Sequence, residues 1–173
     1  MKLQLSKRNN IKIKSKTIEE IKEKNNFESL NDFLEIFKEG SSVIKTKEDI
    51  FDISYNYCQK YKEQNVIYTE ITIDPSMAII PLKDYFEGII EGMEKGKKDF
   101  GINYKLIYCI IRTQTKEEAF NDLKLSLHYK KYFNIIGLAS AERNNPTDKF
   151  KNIFEYAKKE GFNITIHSGE NGN

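Results

Sequence analysis

From residue 66 to residue 167 the sequence alternates between two hydrophobic periods, and that alternation limits the fold more than any other feature. Val66 to Ile73 (V-I-Y-T-E-I-T-I) is β-branched and aromatic, carries no helical stripe and closes at Asp74-Pro75, the pattern of a strand ending in a turn. Leu82, Tyr85, Phe86, Ile89, Ile90 and Met93 then recur at helical spacing and lead to Phe100-Gly101; Tyr104 to Ile111 is a mostly apolar strand ending at Arg112. Thr115 with Glu118 opens a second helix by a capping box, running through Phe120, Leu123 and Leu127 to a strand over Phe133 to Ala139. Pro146 near its start, Phe150, Ile153, Phe154 and Ala157 within it, and Gly161 after it delimit a third helix, and Phe162 to His167 is the fourth strand. Strands apolar on both faces that alternate with helices predict right-handed crossovers. The expected fold is therefore α/β: a curved parallel sheet with strands in chain order and helices on its outer face.

The first sixty residues read as helical. Ser29 is the expected N-cap of a helix over Leu30 to Lys38, with Leu30, Phe33, Leu34 and Phe37 on one face and Gly40 as its stop. Thr46 with Asp49 predicts a second capping box. Its helix carries Ile50, Ile53, Tyr57, Cys58 and Tyr61 on one face and ends near Gln64. At 173 residues, with no linker or low-complexity segment, the whole chain is expected to be a single domain.

Charge narrows the function. Twenty-eight basic and 26 acidic residues leave a net charge of +2, which excludes a strongly basic nucleic-acid binder. No run approaches a membrane span and the N-terminus lacks the apolar core of a signal peptide, so no membrane partner and a cytoplasmic location are expected. Cys58 and Cys109 each lie within an apolar periodic segment, as buried thiols do.

In parallel α/β folds functional groups gather at the carboxyl ends of strands. Here those ends carry Asp74-Pro75, Arg112, the segment Gly137 to Glu142, and His167-Ser168-Gly169-Glu170. An imidazole closing a strand and a carboxylate three residues later can converge on one pocket as a metal and acid/base corner. Spacing alone favours the plainer reading, a hydrogen-bonded histidine closing a strand and a solvated glutamate. His128 reads as a surface histidine at a helix end. Glu70 and Arg112 read as structural, with a buried ion pair between them open. Glu142 reads either as a loop carboxylate facing the pocket or as a helix-start acid before Pro146. No glycine-rich phosphate loop is present.

The strings His167-Ser168-Gly169-Glu170 and Gly137-Leu138-Ala139-Ser140-Ala141-Glu142 resemble the adenosine deaminase family, whose signatures there are H-A-G-E and D-L-A-G-x-E. Leu30 to Phe37, Val66 to Glu70, and Phe100-Gly101-Ile102 leading to Cys109 and Arg112 follow that family's elements in order. The resemblance implies about half, strands two to five, of an eight-stranded (β/α) barrel of the metal-dependent amidohydrolases. Its implied activity is zinc-dependent hydrolysis of adenosine to inosine and ammonia, with adenine or another 6-aminopurine as the alternative substrate. Zinc lowers the pKa of a bound water, and a carboxylic acid protonates the ring nitrogen beside C6.

By the match, His167 stands at a zinc ligand, Glu170 at the proton donor, and Ser140 at a glycine whose backbone N–H contacts the purine. Gly137 and Ser140 depart from the aspartate and glycine of D-L-A-G, and Thr72 stands where an arginine is usual. The family's H-x-H strand is expected before Met1, and its later histidine and aspartate after Asn173. Of the zinc ligands only His167 is matched, so the isolated chain is expected to lack activity and to hold no zinc. A non-catalytic half-barrel, or one completed by a missing half or by self-association, is the rival expectation.

Overall fold

The structure is a computed structural model that describes residues 1–77 and 79–170. Asn173 lies outside them. The chain divides into two compact units, one comprising Met1–Tyr61 with Met77–Phe100 and the other Lys62–Ser76 with Gly101 onward.

The first unit is helical: α1 (Lys2–Arg8), α2 (Ile18–Lys24), α3 (Leu30–Ser42), α4 (Lys47–Glu63) and α5 (Leu82–Phe100). Ser29 and Asp32 form a reciprocal capping box on α3. Thr46 and Asp49 form the expected one on α4: Asp49 N donates to Thr46 Oγ1 at 3.2 Å and Thr46 N to Asp49 Oδ2 at 3.0 Å. One expectation fails here. Gly40 does not stop α3, which continues to Ser42 because the glycine keeps helical geometry. Phe33 and Phe37 are exposed, and tilted ring contacts run from Phe27 to Phe33 and from Phe33 to Phe37.

On α5, Gly88, Gly92 and Gly96 recur every four residues and face α4. A Cβ at Gly92 would lie 2.6 Å from Phe51 O and 2.7 Å from Ser54 Cβ, and one at Gly96 would strike Cys58. This close approach explains why polar Ser54 is buried beside Cys58, and it was not visible in the apolar stripe alone.

The second unit is a four-stranded parallel sheet in chain order, with β1 (Tyr68–Ile73), β2 (Asn103–Ile111), β3 (Ile135–Ala139) and β4 (Asn163–Ile164). This is the expected α/β class and strand order. Helix α6 (Lys116–Ser126) follows β2 behind its capping box, and α7 (Lys151–Lys159) follows β3. The turn after Pro146 is a 3₁₀ segment, Thr147–Phe150, so Pro146 precedes a tighter turn and α7 begins five residues later. Regular pairing in β4 covers only two residues, yet Thr165 N donates to Ile136 O and His167 N to Leu138 O, both at 3.0 Å. One-sided bonding thus carries the extended chain to His167, as the sequence predicted.

The sheet is closely packed. Leu106, Tyr108, Cys109, Ile110, Ile136 and Leu138 are all fully or nearly fully buried, and the rings of Tyr108, Phe133 and Phe162 stack in succession. At roughly 25 cal/mol per Å² of apolar surface, each large side chain buried there contributes about 1.5–3 kcal/mol. Among the described residues no helix is long and apolar enough to cross a membrane.

Candidate active-site rim

Register determines which groups meet. Ile111 pairs with Ala139, and Arg112 N donates to Ala139 O at 2.9 Å, so Arg112 lies beside the segment that begins at Ser140. His167 N bonds Leu138 O, which places His167 on the other side of the same strand end. The carboxyl ends of β2, β3 and β4 therefore converge on one rim.

Arg112 is 1% exposed and organises that rim. Its Nη1 donates to Asn145 O at 2.8 Å and Thr147 Oγ1 at 3.4 Å. Its Nη2 donates to His167 O at 2.7 Å and lies 3.7 Å from Glu142 Oε1. The planar fork suits this divided task, which one ammonium could not perform. Glu142 in turn accepts from Gly169 N through Oε1 and from Glu170 N through Oε2, both at 3.1 Å.

His167 is exposed, and its Nδ1 lies 3.1 Å from Leu138 O. A carbonyl can only accept, so Nδ1 carries a hydrogen in this contact, and in the neutral ring Nε2 is then the nitrogen with the lone pair. That is the state in which an imidazole serves as a metal donor or proton acceptor.

Ser140 is half-buried with φ at +79°, in the left-handed region where a Cβ is strained. The backbone thus adopts a glycine's conformation at the position where the resemblance expects one. Gly137 has no room for a larger residue: a Cβ there would meet Cys109 Sγ and come within 2.9 Å of Ile107 Cγ2. The absence of the aspartate of D-L-A-G at that position has this steric counterpart.

One expectation fails, one open alternative is decided and one reading holds. Glu70 does not join the rim or pair with Arg112; it stands opposite Lys105, seven residues before Arg112 and roughly 20 Å away along the strand. Its carboxylate instead accepts from Tyr68 OH at 2.6 Å. Glu142 is not a helix-start acid: it is a loop carboxylate after β3, and it binds the backbone N–H groups of Gly169 and Glu170 beyond the neighbouring strand end. His128 lies exposed in the 3₁₀ segment Leu127–Tyr132, away from strand ends, as its surface reading implied. Arg112, Glu142 and Gly169 each lie in a segment the sequence marks, but their linkage had no local signal, because its contacts join residues 30 and 27 positions apart.

Both cysteines are free and buried. Burial pushes the Cys109 thiol up to about 12, which makes it unsuitable as a nucleophile. Among the described residues no group of three or more His, Cys, Asp or Glu side chains is placed to hold a metal. A zinc site takes about three protein donors and a water, so these residues do not fit a complete zinc centre.

The polar groups of this parallel α/β sheet gather at the carboxyl ends of its strands, where the functional sites of such folds lie. The chain belongs to the adenosine deaminase family, whose family model matches residues 1–173. It is 39% identical over 171 residues to an adenine deaminase of Crocosphaera subtropica, covering 97% of this chain and 52% of that protein. An adenine deaminase of Wolinella succinogenes is 36% identical over 172 residues, with 98% and 52% covered. The crystal structure of adenine deaminase from Arthrobacter aurescens superposes with a TM-score of 0.91 at 29% identity, covering 98% of this chain and 53% of that one. An amidohydrolase from Burkholderia ambifaria with bound zinc gives 0.83 at 25% identity, with 98% and 48% covered. The chain spans about half the length of the curated relatives it matches.

Proposed function

We propose that this chain supplies the acid-bearing half of a hydrolytic deaminase that converts a 6-aminopurine and water to the 6-oxopurine and ammonia. Adenine is the preferred substrate in this reading, with adenosine second, because the curated relatives named above are adenine deaminases. The carrying observation is the rim segment itself: His167, with Nδ1 on Leu138 O, closes a strand three residues before Glu170. In this role Glu170 donates a proton to the ring nitrogen beside C6 as water adds at C6, so negative charge does not accumulate on the ring. The backbone N–H of Ser140 contacts the purine, and its left-handed backbone allows that approach despite the side chain.

His167 offers one donor to a zinc ion, too few for a zinc centre built from the described residues alone. The test is ultraviolet detection of hypoxanthine and inosine from adenine and adenosine, using the intact protein that carries this segment. Adenine turnover above adenosine turnover, lost in Glu170→Gln, is the expected result. Turnover of neither purine overturns the reading.

A second reading concerns residues 1–173 alone, and the lack of a three-donor group among the described residues favours it. One imidazole should not retain zinc, so this polypeptide is expected to copurify without stoichiometric zinc and to leave both purines unchanged. Zinc-dependent turnover by it would mean that a second copy completes the site.

A further inference from the structure

We propose that Glu142 is the positioning residue for Glu170, a role that rests on the deaminase reading above and refines it. The carboxylate of Glu142 uses both oxygens on consecutive amides, Gly169 N and Glu170 N, each at 3.1 Å. It is 15% exposed, whereas Gly169 and Glu170 are exposed, so the clamp is fixed on the protein side and the clamped segment is not. Glu142 is itself held: Arg112 Nη2 stands 3.7 Å from Oε1, and Asn145 Nδ2 donates to Ala141 O and Arg143 O at 3.2 Å, closing the loop around it. Left-handed Ser140 and Asn144, with φ of +79° and +64°, bracket the turn that presents it.

The clamped segment needs such a restraint. Gly169 has φ of +76°, open space around its α-carbon and no side chain to pack, so its own packing does little to define where Glu170 begins. The bonds that reach His167, from its own N and Nδ1 to Leu138 O and from Arg112 to its carbonyl, stop one residue before Ser168. A general acid must lie within hydrogen-bond reach of the atom it protonates, and a displacement of about 1 Å at a catalytic group costs on the order of 100-fold in rate. Two charge-assisted bonds to the backbone of the acid's own residue and its neighbour impose that restraint.

The experiment compares Glu142→Ala and Glu142→Gln in the intact protein by steady-state kinetics on adenine, thermal melting and amide hydrogen exchange. Glu142→Ala is expected to lower kcat about 100-fold with KM changed less than about threefold. Exchange at Gly169 and Glu170 should speed at least tenfold, with Thr165 and His167 unchanged. Glu142→Gln keeps one acceptor oxygen and should fall between parent and alanine variant in both measurements. Parent-level kcat in Glu142→Ala, or unchanged exchange at the two amides, overturns the proposal. So does a kcat loss in both variants that follows a general fall in melting temperature, because that marks an ordinary structural residue. If the parent deaminates no purine, the deaminase reading fails instead, and the exchange measurement still decides whether the clamp exists.

Discussion

The helical unit and the sheet unit each bury a charged side chain among hydrogen-bond partners, and the two serve different ends. Asp49, fully buried at the start of α4, accepts from Lys45 N, Thr46 N and Asn9 Nδ2 at 2.6–3.0 Å and pairs with Arg8. Every partner belongs to α1, its flanking residues or the α4 cap, so this hub ties the first helix to the start of the fourth within one unit. Arg112 reverses the polarity: one cation serves acceptors from the loop after β3 and from the end of β4. Its partners carry the candidate chemistry. A buried charge can thus stabilise a fold or aim a site, and the identity of its partners tells which.

Removing Arg112 should give the largest effect. Arg112→Met leaves Glu142 without its cation and the carbonyls of Asn145 and His167 without donors, at a cost of about 3–5 kcal/mol. Urea unfolding measures it, and a loss under about 1 kcal/mol would show that water replaces the guanidinium easily. The same change should weaken the site, whereas Asp49→Asn should lower stability by about 2 kcal/mol and leave deaminase kinetics intact.

Acid titration sharpens the contrast between buried carboxylates. Burial by itself would push the Asp49 carboxyl up, but donation from Lys45, Asn9, Arg8 and Thr46 outweighs it and holds the pKa below the ordinary 3.8. Its contribution is therefore present above pH 3.8 and is lost as pH falls through its lower folded value. Asp122 in the sheet unit is pushed up by burial, and the neutral donors Tyr108 OH and Gln114 Nε2 offset this only in part. Its contribution is full below pH 3.8 and is lost as pH rises through its raised folded value. Unfolding followed from pH 6 to pH 2.5 should show Asp49→Asn flattening the acid loss of stability and Asp122→Asn steepening it. Equal slopes in both variants would refute the assignment.

How much of this the sequence reveals depends on the range of each interaction. Strand and helix periods, the Thr115–Glu118 and Thr46–Asp49 boxes and the strand ends at Arg112 and His167 were legible because each is a pattern within a few residues. Burial of Asp49 was not, because its partner Arg8 lies 41 positions away. The glycines of α5 went unread for a related reason: their meaning lies in the backbone of α4. In the site, motif likeness reached His167, Ser140 and Glu170, but the 30-residue span from Arg112 to Glu142 carries no local period.

Glycine separates packing from propensity at a smaller scale. Gly92→Ala drives a methyl into Phe51 O and Ser54 Cβ, and should cost about 1–3 kcal/mol by overpacking. Gly40→Ala, in a helix with open space around it, should gain about 0.5–1 kcal/mol. Matched thermal melts check both signs.

The smallest expected effect falls on the site itself. Ser140 holds φ at +79°, a conformation that costs a non-glycine residue about 1–2 kcal/mol. Glycine would release that strain while gaining freedom in the unfolded chain, so the net gain should be about 1 kcal/mol or less. For a chain of this size that raises Tm by at most about 2–4 °C. The backbone N–H proposed to meet the purine is retained, so KM for adenine should hold steady or fall as the Cβ leaves the pocket. A lower Tm in Ser140→Gly would show that the serine hydroxyl contributes more than the backbone strain removes. A higher KM would move the purine contact from the backbone to the side chain.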